Sequence, residues 1–476
     1  MDELVFYGSQ GDPSDKQHSN SFAYLSSIHT SKQYLQYRQC YSGRNGAVLT
    51  GIGHESKLIV ASNDRATIQV YLYGKESPEQ RIPLPEQLTC LEICNDSDTS
   101  SSWLIGGAKS GRIYVWELDS GLLLAAKECH YQSVTVVKYS KGFVFSGGAD
   151  SRIVVWKILD LVTSEATSAS KPFAIFTDHI LPVTDLVITN GLVSDLRLYS
   201  SSRDCTVRCH NVVSKTLTST YVLPAEVESL AADPAYRALY VGLNNGVIRI
   251  LSLYRANPKT HILEAVGGSG SIVTLKPDPE LKESIICHQQ DGVADISITK
   301  LQVTFDGTTL VSGDSKGNLF TIDIATKQIQ QKLKSLVGAI SQILLFYTKA
   351  DNKELETQAN DKNVVRTIPT LKRVVAEARD IQNHEIQKRL GSVQSAQKEF
   401  DVPEFIDRVK SQQRLFTNFS EVDSTVERVS GAGSKSELSD KVNQLEIQLE
   451  QMGSAYANLQ AKYEELYKEH ASLLNR

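Results

Sequence analysis

The stretch FVFSGGADSRIVVW, Phe143–Trp156, decides the fold of this chain. It contains an apolar segment, a short polar turn and a segment of alternating residues that ends in Trp. The same design recurs in KLIVASNDRATIQVY (57–71), SWLIGGAKSGRIYVW (102–116), RLYSSSRDCTVRCH (197–210), ALYVGLNNGVIRIL (238–251) and TLVSGDSKGNLFTI (309–322). Alternation with a period of two predicts β-strands, and the short polar turns predict hairpins.

The copies recur at the interval typical of propeller blades. Their last residues are separated by 45, 40, 54, 41 and 71 residues. Three of these intervals are at or close to the about 40–45 residues of a four-stranded blade. Segments 164–171 and 257–283 are rich in chain-breaking residues. We expect both to be loops that account for the excess in the fourth and sixth copies.

The two ends of the chain supply a seventh blade. Four further strands are predicted outside the copies, at residues 3–7, 21–27, 32–40 and 338–348. Pairing the C-terminal strand with the three N-terminal strands closes the ring and leaves no open sheet edge. The sequence therefore predicts an all-β seven-bladed WD40 propeller over residues 1–348, followed by an α-helical tail.

Composition excludes several classes of function. The chain has 476 residues, 41% of them hydrophobic, and a formal net charge of −5. No global field therefore attracts nucleic acid or acidic membranes, although a local basic patch for direct RNA contact stays open. We expect no secretory signal and no membrane span, because the N-terminus lacks a long apolar core and no apolar run approaches about 20 residues.

The seven cysteines do not suggest a disulfide framework or a zinc site, since their number is odd and none form a C-x₂-C pair. Cys90 and Cys94, like Cys205 and Cys209, are four residues apart within predicted strands, which places each pair on one sheet face. We expect small core residues in a reducing compartment.

His130, Ser146, Asp150 and Trp156 resemble a Ser-His-Asp catalytic set. Their spacing instead fits the structural tetrad of WD repeats, in which His, Ser and Asp link to the Trp indole and satisfy one another's buried polar groups. His179, Ser200 and Asp204 repeat the arrangement, with His210 where Trp would stand, so a shorter network is expected there. No phosphate-binding loop, metal-ligand cluster or nucleophile with its base is evident. We therefore expect a non-catalytic protein without a cofactor.

Three regions follow the propeller: a linker and extension at 349–400, an amphipathic helical segment at 401–433 and a coiled coil at 434–474. Within the first, residues 364–376 are apolar and either pack on the propeller or bind a partner. In the second, Phe405, Val409, Phe416 and Phe419 recur at helical spacing. They form a candidate docking surface, the alternative being that they pack on their own propeller.

The last region contains bulky residues at intervals of four and three, which predicts a coiled-coil seam. The seam consists of Leu438, Val442, Leu445, Leu449, Met452, Tyr456, Leu459, Tyr463, Leu466, His470 and Leu473. An amphipathic helix of this length has to bury its seam. We expect a homodimer, with heteromeric helix packing as the alternative.

Several runs resemble those of the fungal-type pre-rRNA-processing WD-repeat proteins, the propeller subunit of the RIX complex. In the propeller these are RIPLPEQLTCLEI, SGRIYVWELDSGLLL, HYQSVTVVKYS, GGADSRIVVWKILDLV and DHILPVTDLVIT, and in the tail IPTLKRVV and YANLQAKYEELYKEHASLL. Segments 257–283 and 350–363 have no counterpart.

The resemblance implies a scaffold of the nucleolus and nucleoplasm that acts on precursors of the large ribosomal subunit. It implies partnership with a helical-repeat subunit and a third subunit of the RIX complex, removal of internal transcribed spacer 2, and recruitment of the midasin ATPase. A link to replication licensing and dimerisation of the propellers are also implied. The alternative is an adaptor of another assembly, such as a ubiquitin ligase or a vesicle coat.

Overall fold

The computed structural model describes residues 2–12, 14–15, 18, 20–50, 56–72, 74–95, 102–163, 171–256, 263–268, 270–278, 283–288, 296–348 and 368–376. They form strands that follow one another along the chain as antiparallel sheets. The N-terminal strands are β1 (Asp2–Ser9), β2 (Phe22–Ser27) and β3 (Gln33–Arg38). Blade 1 consists of β4 (Ala47–Leu49), β5 (Lys57–Ala61), β6 (Thr67–Leu72) and β7 (Gln80–Pro83). Blade 2 consists of β8 (Leu88–Asn95), β9 (Ser102–Ala108), β10 (Arg112–Glu117) and β11 (Leu123–Glu128).

The next two blades each include a short helical turn. Blade 3 consists of β12 (Val134–Ser140), β13 (Phe143–Gly148), β14 (Ile153–Lys157), helix α1 (Ile158–Thr163) and β15 (Ala174–Phe176). Blade 4 consists of β16 (Val183–Ile188), a 3₁₀ turn (Val193–Asp195), β17 (Arg197–Ser202), β18 (Thr206–Asn211) and β19 (Thr216–Val222).

The remaining strands complete the ring. Blade 5 contains β20 (Val227–Ala232), β21 (Ala238–Leu243) and β22 (Val247–Ser252). A hairpin of β23 (Tyr254–Ala256) and β24 (Leu263–Ala265), then β25 (Ser271–Thr274), precede its outer strand β26 (Ser284–Ile286). Blade 6 consists of β27 (Ile298–Val303), β28 (Thr309–Asp314), β29 (Leu319–Asp323) and β30 (Ile329–Lys332). The last strand is β31 (Ile340–Thr348).

The predicted closure of the ring is confirmed. Strand β31 pairs antiparallel with β1 from Asp2–Thr348 to Ser9–Ile340, with one register shift after Gly8. The sheet order β3-β2-β1-β31 makes blade 7 from both chain ends. The described residues thus form a seven-bladed propeller, as the copies predicted.

The core lies between neighbouring blades, and glycines in the second strands allow the close approach. A Cβ atom on Gly147 of β13 would lie 2.8 Å from Val183 Cγ1 of blade 4. Blades 2, 5 and 6 place Gly107, Gly242 and Gly313 in the same way against Val134, Ile298 and Ile340 of the following blade. The small residues of the opening motif are therefore required for blade-to-blade packing.

The insertion 257–283 is not simply a loop, so that expectation was wrong for its described part. Part of it forms the β23–β24 hairpin, and β25 adds a fifth strand to blade 4, parallel to β19. The Tyr221 hydroxyl donates to the Val266 carbonyl at 3.0 Å. Covering the outer edge of blade 4 satisfies backbone groups that a four-stranded sheet would expose. In the fourth copy, residues 164–170 lie outside the described part of the chain.

Residues 368–376, hereafter the strap, pack back on the propeller. Of the two alternatives for residues 364–376, packing on the propeller is therefore the one that the described part adopts. Ile368 and Leu371 are buried in the apolar core shared by blades 1 and 2. The Gln80 side-chain amide accepts the Ile368 N–H at Oε1 (2.9 Å) and donates from Nε2 to the Ile368 carbonyl (3.2 Å). The strap, which follows the ring-closing strand β31 in sequence, therefore connects blades 1 and 2.

The expectation that Cys205 lies in a strand was wrong. It occupies the turn before β18 with φ 61°, whereas Cys209, Cys90 and Cys94 are buried within strands. Left-handed backbone is uncommon for a residue other than glycine, and it follows here from the tight turn between β17 and β18.

Candidate interaction surfaces

The opening motif folds into a hydrogen-bond network rather than an accessible site. His130, in the loop before β12, lies with Nδ1 2.9 Å from Asp150 Oδ1 and Nε2 2.8 Å from Ser146 Oγ. Burial lowers the pKa of His130, and Asp150 opposes this shift. A neutral ring donates from Nδ1 to the carboxylate and accepts the serine hydroxyl at Nε2. Because Ser146 is fully buried, no substrate reaches this serine.

Trp156 does not complete the expected tetrad. Its indole nitrogen is buried, and no described group accepts its N–H with normal hydrogen-bond geometry, although the weakly accepting Cys129 sulfur lies near it. The Ser146 hydroxyl instead lies 3.2 Å from the carbonyl of Val154 in the neighbouring strand. Trp156 belongs to the apolar cluster that also contains Ile158 and Leu161 of α1. The network of blade 3 therefore has three members, and Trp156 contributes apolar packing.

Blade 4 repeats the network, with a separate pair where Trp would stand. His179 lies with Nδ1 3.0 Å from Asp204 and Nε2 2.8 Å from Ser200. Burial alone raises the pKa of Asp204, but hydrogen bonds from His179 and Thr206 outweigh it and hold this pKa below its ordinary value. His210 is fully buried and its Nε2 lies 2.9 Å from Asp178. Burial lowers the pKa of His210 to about 4, so this ring is neutral at pH 7.

A third network in blade 6 was missed by the sequence analysis. His288 lies with Nε2 2.8 Å from Ser312 Oγ and Nδ1 3.2 Å from Asp314 Oδ2. Ser312 and Asp314, two residues apart in LVSGDS, are the part of this network that the sequence shows. His288 lies in the irregular segment between residues 257 and 297. It was not recognised because its distance from the preceding copy does not match that of the other histidines. The three histidines define what we call the His face, which contains the loops before the first strands and the turns between second and third strands.

The central channel widens into a cavity at each end. The cavity at the His face has a volume of about 570 Å³, and among its lining residues only Arg44, Arg203 and Glu228 are charged. The cavity at the opposite face measures about 550 Å³ and is lined by two ion pairs, Glu92–Lys138 and Asp185–Lys300. Glu92 raises the pKa of Lys138, whereas burial raises the pKa of Glu92 itself and Lys138 opposes that shift.

The strap shapes the edge of blade 2. The Trp116 indole donates to the Lys372 carbonyl at 3.0 Å, a partner that Trp156 lacks among the described residues. The Lys372 N–H donates to the Gly121 carbonyl, and that of Ala376 to Leu123, both at 2.8 Å. Blade 2 thereby gains a short parallel contact at its outer edge, between Leu123 and Val375. Trp116, the counterpart of Trp156 in this blade, donates its indole N–H to a residue 256 positions away in sequence.

The remaining predicted site residues lie outside the described residues. These are the candidate docking residues Phe405, Val409, Phe416 and Phe419 and the whole seam from Leu438 to Leu473. Within the described ranges, no group of three or more His, Cys, Asp or Glu side chains has an arrangement suited to a metal ion. The same part of the chain has no helix long and apolar enough to cross a membrane.

A ring of seven blades, three of which contain a buried His-Ser-Asp network, defines a WD-repeat propeller. Comparison with known proteins gives the family. The Pre-rRNA-processing protein IPI3 of Scheffersomyces stipitis is 40% identical, with 100% of this chain and 99% of that protein covered. The protein of the same name from Candida albicans is 38% identical over 100% of both chains, and that of Saccharomyces cerevisiae is 26% identical over 96% and 98%. The chain belongs to the family of the Pre-rRNA-processing protein IPI3.

Other comparisons add little. No family model matches the chain. Among solved structures, the computationally designed Ika8 protein has a TM-score of 0.45 and 16% identity, covering 72% of this chain and 96% of the designed one.

Proposed function

We propose that this protein is a non-catalytic scaffold subunit that acts in pre-rRNA processing during maturation of the large ribosomal subunit. The observation that supports this most is identity of up to 40% over the full length with proteins named for pre-rRNA processing. A second support is that the Ser-His-Asp sets are buried within blades, where they fix geometry.

Within this role the finer assignments follow the resemblance stated above. The protein acts on pre-60S particles in the nucleolus and nucleoplasm and is needed to remove internal transcribed spacer 2. It associates with the helical-repeat subunit and the third subunit of the RIX complex, helps recruit the midasin ATPase and contributes to replication licensing. Residues 401–433 present Phe405, Val409, Phe416 and Phe419 to a partner.

Depletion of the protein tests the role in processing. We expect 27S-type precursors that retain the spacer to accumulate, measured by hybridisation with a spacer probe. Normal precursor levels after depletion contradict the proposal. Affinity purification of the tagged full chain separates the alternatives: ribosomal precursor particles and midasin support the scaffold, whereas cullin-type or coat subunits assign the protein to another assembly.

We also propose that residues 434–474 form a homodimeric coiled coil. A dimer doubles the binding surfaces of the propeller and strengthens attachment to a large particle. Leu445→Asp combined with Leu459→Asp places charge in the seam and should convert the full chain to a monomer in sedimentation velocity at tens of micromolar. Asn443→Asp, outside the seam, is the matched control and should stay dimeric. A monomeric wild-type chain overturns the dimer without affecting the depletion test.

A further inference from the structure

The loops that supply Ser133 and Pro182 to the lining of the His-face cavity also contain apolar side chains that are the most exposed among the described residues of that face. Tyr131 and Ile180 follow His130 and His179 directly, and each is 79% exposed. The exposure has a cause in the networks. Asp150 accepts the Tyr131 N–H at 3.0 Å, and Asp204 accepts the Ile180 N–H at 3.2 Å. The carboxylate that binds each histidine therefore also fixes the next backbone unit and turns its side chain outward.

The exposed side chains are held in place before anything binds. The Arg152 guanidinium lies over the Tyr131 ring, 4.5 Å from its centroid. The Leu181 carbonyl accepts the Ser202 hydroxyl at 2.9 Å, which ties the loop of Ile180 to the turn that contains Arg203. A preorganised apolar surface loses little conformational entropy when it is covered, so it is suited to binding a partner.

The cavity beside these residues has an excess of positive charge. Glu228 accepts a hydrogen bond from Arg44 Nη1 at 2.8 Å, and Arg203 Nε forms an ion pair with Glu228 Oε1 at 3.3 Å. One carboxylate thus faces two guanidinium groups, each with five N–H donors, and donors remain for a second carboxylate. The Arg203 side chain is 52% exposed, so this part of the cavity is open to solvent.

The rim of the same face carries charge of both signs. Five of the turns between second and third strands contain a basic residue: Arg65, Lys109, Arg152, Arg203 and Lys316. Acids are interspersed with them, and their hydrogen-bond partners include neutral groups: Asp178 binds the His210 ring, and Glu86 accepts from the Ser110 and Tyr114 hydroxyls. The excess of positive charge is therefore confined to the cavity, where two guanidinium groups face one carboxylate.

From this geometry we propose that the His-face mouth of the channel binds an extended acidic peptide segment of a partner protein. An aspartate or glutamate of the peptide enters the cavity and bonds to Arg203 and Arg44, and an adjacent apolar residue packs on Tyr131, Ile180 and Leu181. The cavity of about 570 Å³ accommodates a single side chain, and the apolar neighbours favour a peptide over a nucleic-acid backbone. This inference stands independently of the processing role.

The test uses a random dodecapeptide library displayed on phage and panned on the full-length chain. Enriched peptides should contain Asp or Glu next to a Leu, Ile or Phe. A labelled synthetic copy of the enriched peptide then gives affinities by fluorescence anisotropy. Arg203→Glu should weaken binding about tenfold or more, and Ile180→Ala about fivefold.

Matched controls lie at the opposite end of the same blade. Arg197 is also exposed and paired, with Asp195, and Leu192 is 77% exposed. Arg197→Glu and Leu192→Ala should leave the affinity within about twofold. The milder Arg203→Gln serves if charge reversal prevents folding, as judged by circular dichroism.

Three results overturn the proposal. The first is absence of enrichment, or enrichment of peptides without acidic residues. The second is equal affinity of the Arg203→Glu and Arg197→Glu proteins for the selected peptide. The third is binding of a labelled decauridine RNA that depends on Arg203 while no peptide is enriched, which assigns the mouth to nucleic acid.

Discussion

The ammonium group of Lys300 lies 2.9 Å from Asp185 Oδ2, although β27 and β16 belong to blades that are not neighbours in the ring. The pair crosses the channel from blade 6 to blade 4, and both side chains are more than nine-tenths buried. Burial lowers the pKa of Lys300, and Asp185 opposes the shift. A buried charge of this kind is tolerated only with its partner in place, so the pair depends on the correct placement of blades 4 and 6 relative to each other.

Breaking this pair on one side should destabilise the propeller strongly. Lys300→Met leaves Asp185 buried beside an apolar side chain, and we expect a loss of about 3–5 kcal/mol in the free energy of unfolding by urea. The double variant Lys300→Met with Asp185→Leu should recover most of it. Arg112→Met, which removes an exposed pair with Glu128, is the control and should cost at most about 1 kcal/mol. A Lys300→Met protein as stable as this control contradicts the argument.

The blade 3 network should behave as one energetic unit. Ser146→Ala removes the hydrogen bond to His130 and should cost about 1 kcal/mol, whereas His130→Leu breaks the bonds to both Asp150 and Ser146 and should cost about 3 kcal/mol. The double variant should lose less than the sum, because the second change removes a bond already broken. Urea unfolding of the four proteins measures the coupling. Strict additivity would show that the contacts act separately.

The strap should be released by a methyl group at Gly121. This residue has φ +75°, and a Cβ atom there would lie 2.6 Å from the Thr370 carbonyl oxygen. Gly142 has φ +79° with no atom within 4 Å of its Cβ position. Both Gly→Ala changes introduce backbone strain of about 1 kcal/mol, but only Gly121→Ala displaces the strap. Hydrogen exchange at the Lys372 and Ala376 amides should accelerate in Gly121→Ala alone. Equal protection in both variants would refute this account.

His210 should make stability depend on pH in the mildly acidic range. Its pKa falls from the ordinary 6.5 to about 4 in the folded chain because burial disfavours the cation. The unfolded chain therefore takes up a proton at a higher pH than the folded chain. The contribution to stability is present above pH 6.5 and is lost as the pH falls toward 4, by about 2 kcal/mol between pH 7.5 and 5.

His210→Gln tests this contribution because it removes the titrating group and keeps a polar side chain beside Asp178. Urea unfolding of the variant should show a loss between pH 7.5 and 5 that is smaller by about 2 kcal/mol than in the wild type. Identical pH profiles would assign the acid sensitivity to other groups.

Local chemistry explains why so much of the fold was predictable. Alternation from Phe143 to Trp156 specifies two strands and their turn, and six copies at nearly constant spacing specify blades. Closure followed from the need to leave no open edge, and β31 pairs with β1 as expected. The small residues at Gly147 and its equivalents were also visible, although their contact with the next blade was not.

The sequence by itself determined the strand–turn–strand pattern of each blade and the total of seven blades, because strand and turn formation depend on neighbouring residues. Only the tertiary structure decided which distant groups meet. It joined Lys300 to Asp185 across the channel, gave Trp116 the Lys372 carbonyl while Trp156 has no hydrogen-bond partner among the described residues, and placed β25 against β19. These pairings depend on the curvature of a closed ring and on where chain segments return to it. No local pattern encodes such contacts, since each joins residues that are far apart in sequence and meet only in the folded chain.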